Sequence, residues 1–338
     1  MPIQRNFDNN NGRTSMRRFA FLAAIGAALA LTPAAFAQVK VSLDSPPDLS
    51  GSGSYVWAHA FVEHMNANGV KAEEFQRGAL GNDDEVFDQV SQGLVEVALA
   101  PLNIVGSLDK LIYGLRLPYF FADMEEVDKA LYEGGMLEKI NAGTTPGGVR
   151  VAAMTTVGPA SGIFNTKRKV ETVADMAGLR MRALDESQIE LYEAWGAAGT
   201  VVNWAEVPNA LQTGVADGYL NPAFVPLLFG HTDFIKHFTD AAVSPSLRIV
   251  IMSEQWYEGL SEADRTVVDG AIAAADKANR DWLGTQGAVI DKLKEAGVEV
   301  VELSEEARAA FRKASEPTYQ SGLITAEQLA EWRKAKGE

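Results

Sequence analysis

Two arginines in Leu179-Arg180-Met181-Arg182-Ala183, four histidines and a serine-glycine run are the residues of this 338-residue chain whose types and spacing point to chemistry. In an extended segment side chains alternate between faces, so Arg180 and Arg182 share one face and the apolar residues the other. A guanidinium fork can make two parallel charge-assisted hydrogen bonds to a carboxylate, and Arg182 lies nearer the strand's carboxyl end. On pattern alone, a strand arginine paired with a nearby acid is the simpler reading. The run Ser50-Gly51-Ser52-Gly53-Ser54 precedes a helical pattern, so its backbone N–H groups can cradle an anion at the helix start. It lacks the spacing and lysine of a nucleotide-binding loop, and a flexible strand-to-helix turn accounts for it as well. In an open α/β sheet such a loop lies where ligands bind, which makes Ser52 and Ser54 contact candidates.

The histidines offer little to a metal or to general-base chemistry. His59 and His64 are five apart on one predicted helix, about 140° around its axis, too far to share an ion comfortably. His231 and His237 are six apart, without the carboxylate spacing of a zinc motif. No acid, base and nucleophile set of an exported hydrolase or isomerase can be assembled from the sequence. The expectation is a protein without catalytic residues, metal or cofactor.

Short apolar, β-branched segments recur between helical ones: Val39–Leu43, Val95–Ala100, Val149–Thr155, Leu179–Leu184, Thr200–Trp204, Leu247–Met252 and Val298–Leu303. This alternation predicts an α/β protein with mostly parallel sheets. Helical periodicity marks Ser54–Asn66 and Asp83–Leu94, the second opening on acidic residues suited to a helix start. The longest pattern, about 261–297, begins with a capping-box-like Ser261-Glu262-Ala263-Asp264 and stops at Gly297. One helix of that length would span roughly 55 Å, more than one domain, so it either breaks near Gly284 or runs across two. Gly158-Pro159, soon after a strand, is a plausible crossing point between domains.

Arg13, Arg17 and Arg18 precede an apolar run from Phe19 to Leu31, followed by Ala35-Phe36-Ala37. That order is a signal peptide's, with cleavage expected after Ala37 and a periplasmic destination. The run is short of the ~20 residues of a permanent span. Its removal takes away Arg5, Arg13, Arg17, Arg18 and Asp8, shifting the formal charge from −15 to −18. Such acidity argues against a nucleic-acid partner and leaves anion capture to local groups, because salt screens charge beyond ~8–10 Å. There is no cysteine, which excludes disulfides, a thiol nucleophile and a lipid anchor on an N-terminal cysteine.

From Phe164 to Pro222 the sequence becomes specific: Asn165-Thr166-Lys167-Arg168, Ala174-Asp175-Met176-Ala177-Gly178-Leu179-Arg180-Met181-Arg182, Trp204-Ala205-Glu206-Val207, Ala210-Leu211-Gln212-Thr213-Gly214, and Asp217-Gly218 to Asn221-Pro222. With Leu80-Gly81-Asn82-Asp83-Asp84-Glu85 and Leu117-Pro118-Tyr119-Phe120-Phe121 upstream, this order resembles the DctP-type solute-binding proteins of TRAP (tripartite ATP-independent periplasmic) transporters, over nearly the whole mature chain.

The resemblance implies a two-lobed periplasmic binding protein fold, type II-like, with β-strand crossovers and a long helix spanning both lobes. Residues 1–37 would be the signal peptide, 38–157 with about 247–258 one lobe, and 158–246 the other. Residues 259–297 would form the long helix and 298–338 a segment packing back on the lobes. It further implies a monomer that closes on a small organic acid and meets one small and one large integral membrane subunit. Within the motif, Arg182 matches the arginine that grips the ligand carboxylate, Trp204 the aromatic residue against the ligand, and Asn221 an amide contact; Glu206, Gln212 and Arg180 read as scaffold. The chain departs from the family pattern at Pro159-Ala160-Ser161-Gly162, where many members carry a second arginine; Ser161 is the polar residue left there. After Ala100, Asn103 is the main polar group. One arginine, one tryptophan and apolar walls favour a monocarboxylate with an apolar or aromatic body. The receptor of an ABC importer, or a sensor-linked receptor, is the rival reading.

Overall fold

The computed structural model describes residues 38–338; the expected signal peptide and its cleavage after Ala37 lie outside them. Eleven strands follow in chain order: β1 Val39–Ser42, β2 Ala72–Phe75, β3 Val97–Ala100, β4 Val149–Gly158, β5 Gly162–Asn165, β6 Arg180–Ala183, β7 Ala198–Val201, β8 Gly218–Asn221, β9 His237–Asp240, β10 Ser246–Ser253 and β11 Glu299–Glu302. They form two sheets, one in the order β2-β1-β3-β10-β4 and the other β11-β9-β5-β8-β6-β7. Each is the floor of one lobe. The chain passes between them where β4 runs on into β5 and where β9 returns into β10.

Those crossings make both sheets mixed: five of the nine strand pairings are parallel, β11 with β9 among them, and the four antiparallel ones all involve β5 or β10. β1 is parallel to both β2 and β3, but β10 is antiparallel to β3 and to β4. In the second sheet β6 is parallel to β7 and β8, while β5 is antiparallel to β8 and β9. A strand that arrives from the other lobe enters its new sheet from the opposite end, so the crossing strands carry the antiparallel pairings.

Both faces of each sheet are covered, and strand alternation decides what faces what. In the first sheet Val97, Leu99, Val250 and Met252 join the core under helix α1 (Gly53–Ala67), with Trp57 and Phe61. Ala98, Ala100, Ile249 and Ile251 join the opposite core with Ile112, Leu115 and Trp332. In the second sheet Phe164, Tyr219 and Phe238 face one core, and Ile163, Met181, Ala183 and Leu220 the other. Helix α2 (Asp83–Ser91) starts at a capping box in which the Asn82 side chain accepts from Glu85 N and Glu85 accepts from Asn82 N. It stops three residues before the expected Leu94, because Gly93 turns left-handed (φ 75°).

Helix α3 (Glu186–Ala194) follows β6. The long pattern 261–297 is two helices, α4 (Glu262–Leu283) and α5 (Val289–Glu295), separated by Gly284 and a short 3-10 turn Gln286–Ala288. Val268, Ala271 and Ala275 of α4 pack on the first lobe, whereas Val289 and Leu293 of α5 pack on the second. A chain that changes lobes must bend, and Gly284, Thr285 and Gly287 have weak helix propensity. Of the final helices, α6 (Glu305–Ser315) buries Phe311 in the second lobe, and α7 (Ala326–Lys336) buries Trp332 in the first. The strand expected through Trp204 ends at Val201; Trp204 opens a 3-10 turn, Trp204–Glu206. Among the described residues no helix is long and apolar enough to cross a membrane.

Candidate functional site

Strand β6 separates its two arginines by environment. Arg180, at the open end, is bound in a fork by Asp217: Nε donates to Oδ2 at 3.0 Å and Nη2 to Oδ1 at 2.8 Å. Arg182, two residues on, is 4 % exposed. Its Nε donates to the Val202 carbonyl at 2.8 Å, and among the described residues no carboxylate lies within ion-pairing distance of it. The guanidinium carbon sits 5.5 Å from the Trp204 ring centroid. Burial, reinforced by repulsion from Arg248 and Arg116, pushes its pKa down to about 10, so it remains charged at neutral pH. A buried cation without an anion is costly, and a ligand carboxylate is the natural remedy.

Arg182 opens into a cavity of about 110 Å³ between the lobes, lined also by Ser52, Ser54, Asn103, Trp204 and Asn221. The Asn221 amide donor Nδ2 and the Asn103 acceptor Oδ1 are buried with no partner among the described residues. They are therefore available, one to a carboxylate or hydroxyl oxygen and the other to a hydroxyl or N–H. Trp204 is braced edge-on by Phe229 (centroids 5.0 Å) and Tyr219 (5.9 Å), with His231 tilted against it at 5.2 Å. His231 is 2 % exposed and shares a 3.2 Å hydrogen bond with the Tyr219 hydroxyl; burial pushes its pKa down to about 4, leaving it neutral.

The serines meet the cavity as wall rather than as open donors. Ser52 caps α1 by accepting from Tyr55 N at 3.2 Å and pairs with Ser45 Oγ at 2.6 Å. Ser54 donates to Asp44 Oδ1 at 2.7 Å. The structure does not bring Ser161 to this cavity. Its hydroxyl pairs with Ser246 Oγ at 2.8 Å in a neighbouring cavity, because the chain has just crossed between lobes and the side chain turns to the far side of the crossing.

The one-arginine expectation also changes. Arg77 and Arg248 line the same cavity, but both are already paired: Arg248 Nε with Asp44 Oδ2 at 2.7 Å, Arg77 Nη2 with Asp83 Oδ2 at 3.1 Å. Close by, Arg116 pairs with Asp185 at 2.7 Å. Arg182 alone is left without a counter-charge. Arg248 had a signal in the sequence, a charge inside the apolar run Leu247-Arg248-Ile249-Val250-Ile251-Met252. Asp44 and Arg77 had none, since they meet only when β1 and β2 lie side by side. No group of three or more His, Asp or Glu among the described residues is placed to hold a metal ion.

Comparison with known proteins agrees with this architecture. Residues 45–326 match DctP, described as bacterial extracellular solute-binding protein, family 7. The C4-dicarboxylate-binding periplasmic protein DctP of Rhodobacter capsulatus is 28 % identical over 334 residues, covering 94 % of this chain and 98 % of that protein. The ectoine/5-hydroxyectoine-binding periplasmic protein UehA of Ruegeria pomeroyi is 28 % identical over 321 residues, 88 % of each. Among solved structures, a TRAP periplasmic solute-binding protein from a Polaromonas species, bound to D-erythronate, superposes with a TM-score of 0.80 at 25 % identity, covering 89 % of this chain and 99 % of that one. The ectoine-binding protein of Halomonas elongata gives 0.81 at 23 % identity, with the same coverage. With its two lobes, interlobe cavity and buried arginine, the chain belongs to family 7 of the bacterial extracellular solute-binding proteins, the DctP family.

Proposed function

We propose that this chain is the periplasmic receptor of a TRAP transporter: it closes its lobes around a small organic monocarboxylate and presents it, as a monomer, to the small and large membrane subunits. The leader through Ala37 would be removed on export. Arg182 carries the reading. Among the described residues it is the one cation of the interlobe cavity without an acidic partner, so the cavity calls for one anionic group rather than two. Asn221 Nδ2 supplies a further donor, and Trp204 with Phe229, Val202 and Leu228 forms an apolar wall for the body of the acid. Relatives are named for ectoine and for C4-dicarboxylates, and a structural neighbour holds D-erythronate, so a small carboxylate is the shared theme. Because the cavity draws residues from both lobes, a ligand that touches both favours the closed form by its differential affinity.

A thermal-shift panel of organic acids tests this. A ligand at 100 times its dissociation constant adds about 2.7 kcal/mol of stability. Monocarboxylates with apolar or aromatic bodies are expected to give the larger shifts. A panel in which dicarboxylates consistently outperform their monoacid counterparts contradicts the single-anion reading.

A further inference from the structure

Behind the ligand cavity lies a second one of about 90 Å³, and the two abut: Val157, Leu184, Asn221 and Arg248 line both. The partition therefore contains the Asn221 side chain, whose Nδ2 is buried without a partner among the described residues, and Arg248, whose Nε donates to Asp44 Oδ2 at 2.7 Å and Nη1 to the Leu247 carbonyl at 3.3 Å. A molecule held by Arg182 and Asn221 has this second space within reach.

The second cavity differs in chemistry from the first. Its charged group at the far wall, Arg116, is neutralised by Asp185 at 2.7 Å, both side chains being mostly buried at 16 % and 13 % exposure. Its other charged group, Arg248 in the partition, is already paired with Asp44 at 2.7 Å, and the rest of the polar lining is neutral. Ser161 and Ser246 pair through their hydroxyls. Gln188 uses Oε1 on Leu184 N at 2.8 Å, leaving its NH2 without a protein partner among the described residues, as is the Ser244 hydroxyl. Leu115, Leu220 and Leu247 supply apolar wall between them. A second carboxylate or an ammonium placed here would be desolvated with no counter-charge, whereas a hydroxyl or amide finds donors and acceptors.

We propose that this second cavity is a distal subsite that takes a neutral hydrogen-bonding arm of the ligand, a hydroxyl- or amide-bearing chain, so that the receptor distinguishes acids by what they carry beyond the carboxylate. This rests on the carboxylate reading of Arg182. The bound molecule then has a carboxylate at Arg182, an apolar portion against Trp204 and an uncharged polar arm passing Asn221 into the space between Ser244 and Gln188.

Titration calorimetry on the mature protein, with straight-chain carboxylic acids lengthened one methylene at a time and carrying methyl, hydroxyl, a second carboxylate or ammonium at the far end, tests it. The expected result is that, beyond a threshold length, the hydroxyl-terminated acids bind at least tenfold more tightly than those ending in carboxylate or ammonium. Ser244→Leu, which fills the subsite, is expected to remove that gain while leaving the short acids within about threefold; Ser161→Leu, on the adjoining segment whose N–H donates to the Ser244 carbonyl at 2.9 Å, is expected to do the same and serves if the first variant does not fold. If short acids bind but length and terminus make no difference, the distal subsite is wrong and the carboxylate reading stands. If Ser244→Leu and Ser161→Leu weaken short and long acids equally, the second cavity is only a structural void and the inference also fails. If no acid of any length binds, both readings fall together.

Discussion

Arg182 and Trp204 depend on residues that never face the ligand. His231 packs against Trp204 and is tied to Tyr219, and its burial holds it neutral, with a pKa of about 4 against 6.5 for an exposed imidazole. Between those two values the unfolded chain takes up a proton that the folded chain refuses, so stability falls as pH drops through that window. At pH 5 the loss amounts to roughly 2 kcal/mol. Urea titrations at pH 7 and pH 5 are expected to show His231→Gln flattening the difference by about that amount; identical slopes for both proteins would show that the ring is not held neutral by its site. At this scale the motif in the sequence led to three residues, Arg182, Trp204 and Asn221, that line one cavity. The sequence was silent where partners are far apart in the chain. Asp44 and Arg248 are 204 residues apart, and nothing local to either says that they neutralise one another. Ser161 was placed at the right loop, but a loop fixes no direction for its side chain.

At the scale of elements, the link between α4 and the first sheet is concentrated in Asn279. This residue is fully buried; its Nδ2 donates to the carbonyls of Gly53 at 2.7 Å and Thr156 at 2.9 Å, while its Oδ1 accepts from Thr156 N at 3.0 Å. One side chain thus joins α4, the start of α1 and the end of the crossing strand β4. Asn279→Ala leaves several buried backbone groups unsatisfied, each costing about 1–3 kcal/mol, and chemical denaturation is expected to show a loss of about 3 kcal/mol or more. A loss below about 1 kcal/mol would mean that water replaces the amide without penalty. The long buried strands β4 and β10 were legible from their apolar runs. The short strands β2, β5, β8 and β9 were not, because Ala72-Glu73-Glu74-Phe75 or Gly218-Tyr219-Leu220-Asn221 lacks the β-branched apolar run that marked the equally short β1 and β3, and takes its conformation from the neighbouring strands. The helical pattern over 261–297 left a break near Gly284 or one helix across two domains as its two outcomes; the chain breaks at Gly284, and the cause is tertiary, since the two halves serve different sheets.

For the whole molecule, the two-lobed plan puts its energetic choice at the boundary between lobes. The Arg116–Asp185 pair crosses that boundary, linking the segment before Leu117 to the residue that caps α3. Asp185→Asn keeps the cap, since an amide oxygen accepts the same N–H groups, but removes the ion pair. The expected effect is a dissociation constant raised about 5- to 30-fold, from a loss on the order of 1–2 kcal/mol in a mostly buried pair; unchanged affinity would show that the pair does not distinguish open from closed. The central claim is that one buried, unpaired arginine makes an organic acid close the lobes. It is tested most directly by small-angle X-ray scattering of the protein and of Arg182→Met, each titrated with the monocarboxylate that gives the largest thermal shift. Removing the cation leaves no buried charge to neutralise and costs binding about 2–5 kcal/mol. The expected result is a smaller radius of gyration for the wild-type protein at saturation and none of that contraction for Arg182→Met at the same acid concentration. Contraction of both proteins over the same concentration range would contradict the claim.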